Sequence, residues 1–417
     1  MLPAFDVAEP SQLCDATSVM RLFESFTLGL ATWGAVFGCG DSSKVSGNAC
    51  ESCSGSGGAS GSSGAPAVSN GGSSGHGGGT EVVIVSGGAS EAGGAGPSGR
   101  SVELGAPLRL ANPVLVTDIA VKDSYVYYSD FDTDSSGDTG GHVSRVPVSG
   151  GPPTVLARAT AAGEPLYAES IIVHGQYVYW TEIRLLRGGP RIGKVPIEGG
   201  DIVDVWTDSR CSEIPSAMAL DGDDLYWFAA CQGLGAALWT VSTKGGQPRV
   251  VASDLGVDWP KADGLRNNRC FTVGNGQAFW TKLTGPVLSL PLSAGAQPTR
   301  LNGGGDAPSA ILYSGDRLFF LSILYVGQGM VRSLVPGQDV VSLAEKQTFQ
   351  EYTALALDDA SVYWGVVDSI RSVPREGGDP VTVVSSAKNP QSFALDDDAI
   401  YWTNDGGGVW RAPKRAP

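Results

Sequence analysis

Four aspartates, Asp130, Asp132, Asp134 and Asp138, crowd the stretch 129–138. Acids at every second position can converge their oxygens on one hard cation. Calcium takes six to eight oxygens from carboxylates, carbonyls and water. The spacing opens as an Asp-x-Asp-x-Asp cation loop opens. Gly137 is displaced from the place such a loop reserves for its turn, and no Glu stands at the twelfth position. The competing reading is a long, solvated, acidic hairpin loop. Calcium is the one cofactor the pattern admits.

The seven cysteines divide by context. Cys50 and Cys53 form a lone Cys-x-x-Cys with no βαβ pattern around it, which suits a local disulfide or two thiols better than a redox domain. Cys211, Cys231 and Cys270 lie in the folded part. An oxidising compartment would pair two of them. Cys211 precedes the first strand of one hairpin and Cys231 follows its second, so both fall at the same end. Cys211–Cys231 is the expected disulfide, leaving Cys270 a buried thiol; Cys231–Cys270 is the competitor. The three histidines, His76, His142 and His174, are far apart in sequence. No Ser lies in a strand–turn–helix elbow, and no Gly-rich run follows a strand and opens a helix. The sequence therefore names no catalytic residue and favours a non-enzymatic role.

Charge and composition narrow the partners. The chain has 417 residues, 28 Lys and Arg against 43 Asp and Glu, and a formal net charge of -15. Nucleic acid is excluded as a partner, since phosphate recognition needs clustered cations. Gly numbers 59, too many for one ordinary domain over the whole length.

The glycine is concentrated near the N-terminus. Residues 55–99 hold 17 Gly and 10 Ser. Such a segment cannot bury enough apolar surface to offset its ordering entropy. Residues 40–100 are read as a disordered tether, which at about 60 residues spans roughly 40–45 Å. Before it, residues 1–39 form a leader and a signal-like segment. Met20-Arg21 opens a stretch with one early positive charge, an apolar run from Phe26 to Phe37, and small residues at its end. That order is a secretory signal, and the run is short for a membrane span. Its end, Val36-Phe37-Gly38-Cys39, resembles a bacterial lipobox. The resemblance implies lipidation of Cys39, export, and a membrane anchor facing the periplasm or the cell exterior. Met20 is then a workable start.

From residue 101 to 417 a repeat takes over. An aromatic pair recurs seven times: Tyr127-Tyr128, Tyr179-Trp180, Tyr226-Trp227, Phe279-Trp280, Phe319-Phe320, Tyr363-Trp364 and Tyr401-Trp402. Each ends an apolar alternation broken by a polar turn, as in LALDDASVYW, which reads as a β-hairpin. Downstream come a third strand, usually a Gly-Gly turn, and a fourth, as in IGKVPIEGGDIVDVW. Pairs are 38 to 53 residues apart, the length of a four-stranded propeller blade. The seventh unit stops after its third strand, and a matching fourth-strand phrase, GAPLRLA, stands alone at 105–111. The expected fold is all-β: a seven-bladed β-propeller closed by an N-terminal strand. The fifth unit is the least regular, so a six-bladed ring is the runner-up.

These units resemble the YWTD and NHL-like β-propellers, and more closely the propeller repeats of bacterial envelope proteins. The resemblance carries the fold and no single function. It implies a monomeric, tethered binding or scaffold module for an envelope protein or saccharide. The alternative is a lactonase- or lyase-like propeller enzyme with a metal at the channel mouth. The acids at Asp221, Asp358 and Asp396 recur in several units, which speaks for turn chemistry; an enzyme would place acids in one or two units only.

Overall fold

A computed structural model describes residues 106–133, 139–158, 166–184, 189–211, 215–255, 270–281, 285–293, 295–301, 308–325, 328–349, 353, 355–404 and 406–414. The signal-like segment, Cys39 and the tether lie outside them. Seven antiparallel sheets of four strands each hold the described chain. Six are consecutive, spanning 116–157, 168–207, 216–252, 271–300, 308–347 and 355–384. The seventh joins Pro390–Leu395, Ala399–Asn404 and Val409–Pro413 to Leu108–Ala111 at its outer edge. The first strands touch one another in cyclic order, the seventh meeting the first. The protein is a seven-bladed β-propeller, and the irregular fifth unit is a complete blade.

The aromatic pairs explain why the ring holds together. Neighbouring residues of a strand point to opposite sheet faces, so each pair serves two blade interfaces. Tyr179 packs with Met218 and Leu225 of blade 3, while Trp180 packs with Tyr127 and Leu156 of blade 1. The same division holds for all seven pairs, one apolar cluster per interface. Trp180, Trp227, Trp280, Trp364 and Trp402 are fully buried.

A second regularity links turn to core. Asp358 caps its own hairpin by accepting the N–H groups of Ala360 and Ser361, and its other oxygen accepts the Tyr363 hydroxyl at 2.9 Å. Asp396 does the same with Asp398, Ala399 and Tyr401. These acids are turn residues. Where the position five before the pair is Gly274 or Ser314, the first aromatic is Phe279 or Phe319, which has no hydroxyl to satisfy. In the Gly-Gly turns, Gly199 and Gly200 have φ of 85° and 139°, a conformation that other residues rarely adopt.

Strand closure follows the sequence. Leu108 pairs with Arg411, Arg109 with Trp410 and Ala111 with Val409. Leu110 and Ala111 are buried between blades 7 and 1.

Candidate functional site

The antiparallel order places the connections of this ring on two different faces. Hairpin turns between first and second strands are two or three residues long in every blade. This face is also stitched between blades: Arg145 to Glu198 at 2.8 and 2.6 Å, His174 to Asp223 at 3.1 Å, Arg317 to Glu376 at 3.0 Å, and Lys414 to Asp358 at 2.8 Å. The other face carries the blade-to-blade connections, eighteen residues long between Ala252 and Phe271. Val114 and Val367 are exposed on it.

The first strands also line a central cavity of about 260 Å³. One equivalent residue from each blade, the partner of the second aromatic, forms a collar around it, with the side chain buried in an interface between blades: Ile119, Ile171, Met218, Phe271, Ile311, Leu355 and Phe393. One position earlier stand Asp118, Ser170, Ala217, Cys270, Ala310 and Ser392. Asp118 is thus the single acid in a ring of small residues, and it breaks the repeat. Asp118 is 8% exposed. One oxygen accepts from Ile119 N at 3.0 Å and Ser392 Oγ at 2.7 Å; the other accepts from Ile171 N at 3.0 Å. It therefore ties blades 7, 1 and 2 together. Beside it, the Thr117 hydroxyl donates to Ala168 O at 2.7 Å.

Glu169 stands two positions before the collar, where the other blades carry Thr117, Ser216, Arg269, Ser309, Thr353 and Gln391. Arg269 lies outside the described residues. Burial pushes the Glu169 carboxyl up from 4.5 to about 7. The folded state thus keeps a proton that the unfolded chain loses. Its contribution to stability is full below about pH 4.5 and is lost as pH rises through 7. The loss at alkaline pH is on the order of 3 kcal/mol. Glu169→Gln is expected to match the wild type near pH 4.5 and exceed it by about that amount at pH 8. Urea midpoints of both proteins at the two pH values check this; parallel pH profiles would refute it.

Two of the four aspartates stand in a strand. The second strand runs to Thr133 and the third begins at Thr139, so Asp130 and Asp132 belong to a strand. Asp130 is buried opposite His142, whose Nδ1 lies 3.0 Å from its Oδ1. Gly141 allows this end of the hairpin to approach the backbone of Leu166, where any Cβ would collide. Asp134 and Asp138 lie outside the described residues.

Cys211 and Cys231 form a disulfide, and Cys270 is a buried thiol outside it. Asp208 lies beside the two sulfurs, but disulfide sulfurs are not thiolate ligands, and its carboxylate accepts from Arg210. In blade 2, buried Glu182 accepts from Trp180 Nε1 at 2.6 Å and Arg191 at 2.8 Å, and Arg191 also reaches Asp204 at 2.9 Å. Both terminal nitrogens of Arg191 are thus engaged by acids of its own blade.

The fold has relatives among solved structures. A puromycin-hydrolysing peptidase of Mycobacterium tuberculosis is similar over 75% of this chain and 55% of its own, at 13% identity and a TM-score of 0.53. The likeness is one of fold. BamB from Moraxella catarrhalis is similar over 72% of this chain and 85% of its own, at 14% identity and a TM-score of 0.43. Two prolyl endopeptidases gave a structure similar over 72% of this chain and 50% of its own, at 10% identity and a TM-score of 0.49. The chain spans about half the length of the peptidases it resembles. No protein-family model matches the sequence, and no curated protein matches it.

Proposed function

We propose that this chain is an exported, lipid-anchored propeller whose face of long connections binds a protein or saccharide of the cell envelope. The observation that carries the reading is the asymmetry of the two faces. One is closed by tight, mutually stitched turns; the other holds the long connections and the exposed Val114 and Val367. Binding surfaces are commonly built from loops on a rigid scaffold. The three best-placed acids support the same reading: Asp118, Asp130 and Glu182 are engaged by groups of the propeller itself. The enzyme alternative has one point in its favour, the near-neutral Glu169 before the collar.

Two measurements test the proposal in cells. Mass spectrometry of the membrane fraction is expected to find a mature chain beginning at acylated Cys39. A photo-crosslinking residue at 114 or 367 is expected to capture a defined envelope component, and one at 397, in a tight turn, is expected to capture none. A soluble chain retaining residues 2–19, or equal capture from both faces, would overturn it.

A further inference from the structure

We infer that Arg109 and Lys388 form an oxyanion clamp at the rim of blade 7, toward the face of long connections. It takes a phosphate or carboxylate group. Its partner rests on the partner-face reading; its site rests on the residues of this rim alone.

Two separate segments bring the cations together. Arg109 stands in the closing strand, opposite Trp410, the second residue of Val409–Pro413. Lys388 stands in the connection from Val381–Val384 to Pro390–Leu395. The Arg109 guanidinium lies 5.3 Å from the centre of the Trp410 ring, and Lys388 Nζ lies 6.0 Å from it. Among the described residues, Trp410 is the only ring that meets two cations. No carboxylate of these residues pairs with either one, whereas Arg145, Arg191 and Arg317 each hold an acid at 3.0 Å or closer. Asp368 meets the Lys388 segment through its backbone oxygen, which accepts from Ala387 N at 2.8 Å. Two like charges beside one ring, with no acid between them, are an arrangement that an anion completes.

The local structure readies both groups. A Cβ at position 408 would fall 2.8 Å from Arg109 Nε, so Gly408 leaves the room in which the guanidinium lies. Held over the indole, Arg109 keeps the edge of its fork for hydrogen bonds. That fork matches two oxygens of one carboxylate or phosphate. Lys388 has a φ of 54°, an uncommon conformation for a residue other than glycine, and its exposed ammonium adds a mobile point charge. The net charge of -15 does not forbid an anion here. The turn acids Asp358 and Asp396 belong to the opposite face, and a six-residue strand such as Ala399–Asn404 sets the faces about 20 Å apart. Salt at physiological strength screens charges over about 8 Å.

Arginine side-chain NMR reads the clamp. The full-length protein is labelled with ¹⁵N-arginine and titrated with inorganic phosphate, galacturonate and galactose at constant ionic strength. The Arg109 Nε–H signal is assigned with Arg109→Lys. Phosphate and galacturonate are expected to shift it saturably, while galactose leaves it in place. The tighter of the two anions tells whether a phosphorylated or a carboxylated component is the source. Lys388→Met keeps an unbranched stem without the charge and is expected to weaken both about tenfold. Lys388 is exposed, so this variant keeps the fold. Arg317, bound to Glu376 on the opposite face, is the control. No saturable shift at Arg109, an equal response to galactose or at Arg317, or unchanged affinity in Lys388→Met would overturn the inference. The titration uses purified protein, so it and the crosslinks at residues 114 and 367 fail separately.

Discussion

A chain beginning at Asn112 is expected to lose about 4 kcal/mol or more relative to one beginning at Ser101, and to associate with itself. The missing segment contains Leu108–Ala111, the outer strand of the seventh blade. Burial of Leu110 and Ala111 against Val116, Val126 and Tyr401 is worth about 2–3 kcal/mol by apolar area. Each lost ladder bond to Val409–Pro413 adds about 1 kcal/mol. The Arg109 guanidinium, 5.3 Å above the Trp410 ring, adds about 0.5–1 kcal/mol more. The truncated ring also exposes the edge of Val409–Pro413, a row of unpaired backbone groups ready to pair with another chain. Size-exclusion chromatography and thermal melts of the two chains measure both effects. A synthetic peptide covering residues 105–112 should raise the melting temperature of the truncated chain and leave that of the longer chain unchanged. Coincident melts and two monomers would mean that the strand is an ornament of the ring.

Most of this architecture was readable because a propeller repeats its physics. Every interface between blades needs one aromatic from each side, and a strand's period of two delivers both from adjacent positions. Seven pairs therefore announced seven interfaces. The turn acids were also readable: Asp358 and Asp396 precede tyrosines, while Gly274 and Ser314 precede phenylalanines. The closing strand was visible as a fourth-strand phrase with no blade of its own. The site residues were harder for definite reasons. Asp130 and Asp132 looked like loop ligands because alternation suits a converging cation loop, but alternation is equally the mark of a strand, and the hairpin extends through them to Thr133. Asp118 left a signal in sequence, since it alone among its equivalents is an acid. Its partners could not be read, because they come from 53 and 274 residues away. Glu169 likewise broke the repeat, and only its burial gives it an unusual proton affinity.

Asp118→Ala is expected to cost about 3–5 kcal/mol, because it strips the acceptor from three buried donors. The amides of Ile119 and Ile171 and the hydroxyl of Ser392 belong to three blades, and all three point at the one carboxylate. Ser392 is 2% exposed and Asp118 is 8% exposed, so solvent is poorly placed to take over. Asp118→Asn separates acceptor chemistry from size. Its amide oxygen can still serve Ile119 N and Ser392 Oγ, but its NH2 group would then face Ile171 N, donor against donor. Asn is therefore expected to recover only part of the loss, with the remaining weakness at the seam between blades 1 and 2. Chemical denaturation of the three proteins gives the magnitudes, and hydrogen exchange at Ile119 and Ile171 locates them. Alanine should speed exchange at both amides, and asparagine mainly at Ile171. Full recovery by asparagine would show that Asp118 fills space rather than gathers donors. The ring would then owe its order to the aromatic interfaces alone.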